Sequence, residues 1–481
     1  VNNFATPHQV LKQVYGYTEF RSGQLDIIKN ILDKKDCLAI LPTGGGKSIC
    51  FQIPGVLFSG ITIVVSPLIS LMKDQVDTLN SKNISACYIS SLLSSTDLEK
   101  TYNLLYLEKF KFVYVAPERL HSKKFISIIQ KLNISLLVVD EAHCISSWGN
   151  DFRPSYKKIK ESYKYFSKNC IKVAFTATAN KKVQSEIINS LELNNPYIYY
   201  QSFKRTNLFL EVIKCHSQTI KNLVLLRILK HHNNQTGIIY CSTRKSTKKV
   251  SNYLNLLGFK TSYYHGGLSK EEKNTVQTVF LCGETKIIVA TNAFGMGIDK
   301  SNIRFVIHYQ IPGNIENYYQ EAGRAGRDGK ESFCYLLFCE DDLIIQKYLL
   351  KKYPNKINNL RVIYNFVNKK CCRTQFVLNH FNEKSDVCRK CDFCQFNDNH
   401  NYYPKCELLL KADGNEIKNI KKLLQMKKKF KLLQQKFPIT STNIAFISLL
   451  EPKKINDYLQ ISGIGFGMYS IWKTHIQQTL A

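Results

Sequence analysis

No apolar run of about 18 residues occurs anywhere in the chain, which excludes a helix that spans a bilayer. The opening residues, VNNFATPHQVLKQ, lack the apolar centre of a secretory signal. The chain is therefore expected in the cytoplasm or, in a eukaryote, the nucleus, with no membrane partner. Collagen-like and low-complexity stretches are absent too. Acidic residues are scarce: 37 Asp and Glu stand against 67 Lys and Arg, a net charge of +30. Such an excess favours a polyanionic partner. Lys, Asn and Ile are heavily used throughout, however, so charge alone assigns no function. The 16 cysteines of a chain expected in a reducing compartment are not read as disulfides. Most are scattered and suit small buried positions. Cys388, Cys391 and Cys394 are clustered.

At 481 residues the chain is long enough for about three domains. Short apolar runs alternate with helix-length segments: CLAIL (37–41), ITIVVS (61–66), FVYVA (112–116), LLVVD (136–140) and KVAFT (172–176). A second set follows: GIIYC (237–241), KIIVAT (286–291), RFVIHY (304–309) and CYLLF (334–338). This is the order of parallel sheets built from βαβ units, in two similar α/β domains joined near LNNPYIYYQSFKRTNLFLE. After Tyr348 the pattern turns to Lys-rich helices around the cysteine cluster, and a last helical stretch starts near Glu416.

The segment LPTGGGKS (41–48) follows a strand and opens a helix, which is where a phosphate-binding loop belongs. Thr43, Gly44, Gly45 and Gly46 would cradle anionic oxygens. Lys47 would reach the terminal phosphates of ATP, and Ser48 would bind Mg²⁺. Leu41 stands where the strict spacing wants glycine. Asp140 and Glu141 end another apolar strand. Asp140 would hold the Mg²⁺ shell, and Glu141 would orient or deprotonate the attacking water.

LPTGGGKS, DEAH (140–143), FTATA (175–179), ATNAFGMGIDK (290–300) and QEAGRAGRDG (320–329) occur in the order of a superfamily-2 helicase. YGYTEFRSGQ (15–24) and AHCISSWGNDFRP (142–154) resemble the RecQ family of DNA helicases in particular, from about residue 8 to 395. The resemblance implies two RecA-like parallel-sheet domains, a helical zinc-binding subdomain and a small helical C-terminal module. It implies that Tyr17 stacks on adenine while Arg21 and Gln24 contact its edge and nearby phosphates. Thr176 and Thr178 would relay nucleotide state. Arg327 would be the arginine finger, with Arg324 also facing the interdomain cleft, Gln320 would contact the nucleotide, and Asp299 would help close the ATP cleft. Arg244 and His265, in STRKS and YYHGGLS, would contact single-stranded DNA. Trp148, Phe152 and Arg153 would form an aromatic loop that senses it. Asn150 stands where the family usually has His, which leaves a hydrogen-bonding side chain that cannot become cationic.

CCRTQFVLNHFNEKSDVCRKCDFC (371–394) supplies Cys388, Cys391, Cys394 and either Cys371 or Cys372 for a closed zinc site; an iron–sulfur cluster is the alternative. The Cys-Arg pair of the family favours Cys372. The stretch 449–476 resembles the later half of an HRDC domain, with an ordinary helical bundle as the alternative. The interval after Cys394 is too short for the winged-helix domain, of about 100 residues, that the family usually places there. The expected divisions are 1–202, 203–345, 346–400 and 401–481. The resemblance implies an ATP-dependent DNA helicase that translocates 3′ to 5′ on single-stranded DNA and acts on forked DNA in recombination or repair, alongside accessory repair proteins. An RNA helicase or annealing factor, and a DNA-binding scaffold with residual ATPase, are the alternatives.

Overall fold

The computed structural model describes residues 4–42, 44–67, 69–91, 93–146, 153–167, 169–177, 181–295, 300–351, 357–396, 411–432, 439–450, 461, 464 and 476–479. Two compact units emerge. The first comprises Val1–Arg205 with Gly295–Asp299 and Leu378–Ser385, and the second Thr206–Phe294, Lys300–Val377 and Asp386–Ala481.

In the first unit the strands are β1 (Cys37–Ile40), β2 (Ile61–Val65), β3 (Ala86–Ile89), β4 (Phe112–Val115), β5 (Ile134–Val139), β6 (Ile171–Thr176) and β7 (Tyr197–Tyr200). They pair in parallel in the order β3-β4-β2-β5-β6-β1-β7. Strands buried on both faces must be apolar throughout, and β1, β2 and β4 are buried at every position. Edge strand β7 alternates between half-buried and exposed. Because β6 lies between β5 and β1, the carboxyl ends of these three strands share one edge. That edge, beyond the strand ends, is where open α/β sheets place ligands.

In the second unit β8 (Leu208–Lys214), β9 (Gly237–Tyr240), β10 (Thr261–Tyr264), β11 (Ile287–Ala290), β12 (Phe305–His308) and β13 (Ser332–Phe338) form a parallel sheet ordered β10-β11-β9-β12-β13-β8. Strands β7 and β8 both come from the stretch read as a domain join, so that stretch supplies one strand to each sheet.

The helix expected near Glu416 spans Gly414–Leu432. With Ser441–Leu450 it belongs to the core of the second unit: Ile420, Leu423, Ile444 and Ile447 join one buried cluster with Leu223 and Leu226 of helix Gln218–His231. A buried ion pair between Arg227 and Glu416 fixes the register of the two long helices. Most of the HRDC-like stretch 449–476 lies outside the described residues. No described helix is long and apolar enough to cross a membrane.

Candidate nucleotide, strand-contact and zinc sites

The loop after β1 turns into helix Lys47–Leu57 through Gly46, whose φ of 77° is left-handed. The backbone there favours glycine, and a Cβ, 2.2 Å from Gln24 Nε2, would displace that amide from the loop. Gln24 Nε2 donates to the carbonyls of Gly46 (3.2 Å) and Gly45 (3.4 Å), while its Oε1 accepts from the Arg21 N–H (2.9 Å). Arg21 donates to the Gly44 carbonyl. Arg21 and Gln24 thus brace the glycine loop. Tyr17 is 54% exposed, which sets it apart from a core aromatic. Lys47 and Ser48 open the helix, at the end that favours anions. Thr43 lies outside the described residues.

Across the sheet edge, Lys47 Nζ lies 3.4 Å from Glu141 Oε1, and His143 Nδ1 lies 3.3 Å from Glu141 Oε2. His143 Nδ1 is also 3.0 Å from Thr176 Oγ1, which joins the ends of β5 and β6. Glu141 takes a left-handed φ of 47°, costly for a residue with a Cβ and common at functional turns. Its N–H donates to Asp140 Oδ1 at 2.9 Å, and Tyr156 donates to the Asp140 carbonyl at 3.0 Å. Burial and the adjacent Glu141 push the Asp140 carboxyl up to about 6. Burial also pushes Glu141 up, but Lys47 and His143 outweigh it and hold Glu141 well below the usual carboxylate range. One buried acid beside the phosphate loop is therefore firmly ionised, and its neighbour carries strained negative charge that a divalent cation would relieve. His143 was present in the DEAH string, yet its link to Thr176 depends on the pairing of β5 beside β6, which the string does not carry.

Arg153 follows on the same segment. Its N–H donates to the Cys144 carbonyl (2.9 Å) and its guanidinium to the Pro67 carbonyl (2.8 Å). Trp148, Asn150, Phe152, Thr178 and Asp299 lie outside the described residues.

In the second unit Gln320 lies on helix Ile315–Ala322, half-buried, with Arg324 buried and Arg327 half-buried just beyond it. Three ties hold the following turn. Asn207 Nδ2 donates to the carbonyls of Gly326 (2.8 Å) and Lys330 (2.9 Å). The Gly326 N–H donates to the Ile303 carbonyl (2.9 Å). Arg304 grips both oxygens of Asp328 (2.6 and 2.7 Å). Sequence reading missed Asn207 and Arg304, because neither belongs to the arginine motif they support. Arg244 is exposed at the start of helix Arg244–Leu256. Its guanidinium packs so closely on Gly267 that a Cβ there would meet Nη1 at 2.7 Å. His265 is buried, and its ring stacks on Tyr263 at 5.7 Å.

The cysteine cluster resolves the choice between Cys371 and Cys372. The sulfurs of Cys372, Cys388, Cys391 and Cys394 all lie within 4.8 Å of one another. Four ~2.3 Å bonds from a tetrahedral Zn²⁺ would put sulfurs roughly 3.8 Å apart; Cys388–Cys394 is 3.9 Å and Cys372–Cys391 4.0 Å. Backbone N–H groups of Cys388 (3.2 Å) and Gln375 (3.4 Å) point at Cys372 Sγ, and that of Arg373 (3.3 Å) at Cys391 Sγ. Such donors stabilise thiolates, so the residues fit the metal. Arg373 Nε pairs with both oxygens of Asp392 (2.9 and 3.1 Å), and Asp392 accepts the Val212 N–H of β8 (3.1 Å). The knuckle is thereby tied to the sheet.

Known proteins agree with this geometry. The DEAD/DEAH box helicase family matches residues 21–186, and the helicase conserved C-terminal domain matches 218–329. The molecule is thus of the two-sheet DEAD/DEAH-box helicase class. The RecQ zinc-binding family matches 340–395, over the four-cysteine cluster. The chain is 42% identical to the ATP-dependent DNA helicase RecQ of Bacillus subtilis over 80% of its own length and 66% of that protein's. It is 39% identical to the probable ATP-dependent DNA helicase RecS of Bacillus subtilis, over 71% of this chain and 69% of that one. It is 40% identical to a putative ATP-dependent RNA helicase, R290, of Acanthamoeba polyphaga mimivirus, over 80% of this chain and 71% of that one. The chain belongs to the RecQ family of helicases. It nevertheless spans slightly less than two thirds of the Bacillus RecQ protein. Among solved structures, the fold matches a DUF1998 helicase, MrfA, bound to DNA, with a TM-score of 0.60 at 16% identity, over 83% of this chain and 57% of that one.

Proposed function

We propose that the chain is a DNA-stimulated ATPase that moves 3′ to 5′ on single-stranded DNA and opens forked duplexes during recombination or repair. It would work where cellular DNA is kept, the bacterial cytoplasm or the eukaryotic nucleus, with accessory repair proteins as partners. The observation that carries the reading is the Lys47–Glu141–His143 cluster beside the glycine loop, with Asp140 next to it. ATP supplies the phosphoryl group, and Mg²⁺ on Ser48 and Asp140 would neutralise its charge. Lys47 holds the terminal phosphates. Glu141, kept ionised by Lys47 and His143, orients the attacking water or accepts its proton. Tyr17, with Arg21 and Gln24, receives the base, and Arg327, with Arg324 and Gln320, offsets charge that develops on transfer. Arg244 contacts the DNA backbone, and His265, buried against Tyr263, supports the loop beside it. The working parts are read as two motor domains, 1–202 and 203–345, a zinc subdomain, 346–400, and a helical tail, 401–481.

Turnover of ATP should rise on adding single-stranded DNA, and less on adding RNA of the same length. A larger response to RNA would favour the second reading, an RNA helicase, as the mimivirus relative is named. Turnover unmoved by either would leave a binding scaffold.

A further inference from the structure

The strand-contact loop after β9 is held by a side chain far away in sequence. Ser242 begins it: its N–H donates to Gln310 Oε1 at 2.9 Å, and its hydroxyl oxygen accepts from Gln346 Nε2 at 2.9 Å. The same amide of Gln346 donates to the Ile311 carbonyl. Gln346 is 5% exposed, so these bonds are not shared with bulk water. One residue beyond Ser242, Thr243 Oγ1 caps the next helix by accepting the Ser246 N–H at 3.0 Å, and Arg244 follows as its first residue. The amide of Gln346 therefore sits two residues from the guanidinium proposed to hold a DNA phosphate.

The base of Gln346 is equally constrained. It lies on helix Asp341–Leu350, one turn after Asp342. Asp342 forms a buried ion pair with Lys221 through both oxygens, at 2.8 and 2.7 Å. It also accepts the Ile311 N–H (3.3 Å) and the Cys339 N–H (3.2 Å). A helix anchored by a buried ion pair gives its side chains fixed positions. Beyond this helix the chain runs on to the zinc segment.

We propose that Gln346 is a positioning residue for single-stranded DNA: it fixes the Ser242–Arg244 turn for a backbone phosphate and ties that turn to helix Asp341–Leu350, which leads into the zinc subdomain. The inference rests on the proposed DNA-stimulated activity. It assigns Gln346 no contact with nucleotide or DNA, so its loss should weaken apparent DNA affinity and leave the chemical step alone.

The test compares the full chain with Gln346→Met, which keeps the volume and loses both donors, and Gln346→Asn, which keeps the amide but falls short of Ser242. ATP turnover is titrated with oligo-dT, and binding of the same labelled strand is followed by fluorescence anisotropy. The expected result is a half-saturating DNA concentration raised about tenfold, roughly the worth of one buried hydrogen bond. DNA-free turnover, turnover at saturating DNA and zinc content should match the parent chain. A parent stimulated by DNA, with both variants saturating at the parent's concentration, overturns the role of Gln346 alone. So does a variant whose maximal turnover falls while its DNA affinity holds. A parent that neither binds nor responds to oligo-dT overturns the functional reading, and this inference with it.

Discussion

Lys47 and Glu141 are 94 positions apart in sequence and 3.4 Å apart in space, at the shared edge of β1 and β5. The ammonium keeps the neighbouring acid ionised, and in the proposed function it also offers charge to phosphate. Lys47→Ala should therefore reduce DNA-stimulated ATP turnover ~10³-fold or more, as should Arg327→Ala, because each would remove a charge proposed to act on the transferred phosphoryl group. Steady-state turnover at saturating DNA measures this. Near-normal rates in both variants would remove the phosphate-site assignment.

The zinc knuckle gives a prediction about metal. Purified chain should contain one Zn²⁺ and show no iron-type absorption. Cys372→Ser should lose the metal and loosen residues 357–396 to proteolysis, since assembly of the site supplies folding free energy. Cys371→Ser should keep the metal, because Cys371 is not among the four clustered sulfurs. Metal retained in Cys372→Ser and lost in Cys371→Ser would reverse the choice of ligand.

His232 predicts an acid-sensitive second unit. Its ring is buried against Phe305 and is 2.9 Å from Tyr335 OH. Burial lowers its pKa to about 4, a fall only partly offset by the hydrogen bond to Gln235. Between that value and the unfolded value near 6.5, the unfolded chain binds the extra proton. Stability should therefore fall as pH drops through that window, by about 3 kcal/mol in full. His232→Gln should flatten this part of the profile in denaturant melts between pH 7 and 4. An unchanged slope in the variant would show that other groups carry the acid sensitivity.

The aromatic loop gives a prediction that comes from sequence. Trp148→Ala should leave ATP binding intact and blunt the stimulation by single-stranded DNA, as expected if the ring reports strand occupancy to Asp140 and Glu141. Full stimulation in the variant would reduce Trp148 to a packing role.

The core strands were legible because a strand buried on both faces must be apolar along its whole length. CLAI, ITIVV and FVYV satisfy that rule and stand out. Strand β10, TSYY, does not, since three of its four residues are only half-buried and polar groups are tolerated. Strand β7 was hidden for the same reason, as an edge strand with alternating exposure. At the nucleotide loop, the glycines and Lys47 were legible as a local pattern, since a tight phosphate turn restricts consecutive positions. The supports were not. Asn207 holds Gly326 from 119 positions away, and Gln346 holds Ser242 from 104. An amide side chain in a helix or loop carries no sign of which distant carbonyl it will meet.

The last prediction concerns the force available at a fork. Cys394 and the helix beginning at Gly414 are about 20 positions apart, too few for an intervening domain of ~100 residues. No duplex-gripping module is therefore inserted between the zinc knuckle and the tail. The tail helix Gly414–Leu432 turns Ile420 and Leu423 to the core and leaves Lys418, Lys421 and Lys428 exposed. Lysines on a solvated face can hold phosphates, but that grip is screened by salt and blind to DNA structure. A motor that pulls one strand without a wedge must wait for base pairs to fray, each stacking step costing ~1.4 kcal/mol. The chain alone should hydrolyse ATP briskly on single-stranded DNA while unwinding poorly. Its unwinding yield should drop steeply with duplex length and with added salt. Fork substrates of increasing length, assayed beside ATP turnover, separate the two activities. Efficient separation of long duplexes at physiological salt would mean that an element within this chain, the 401–481 tail foremost, already acts as the wedge.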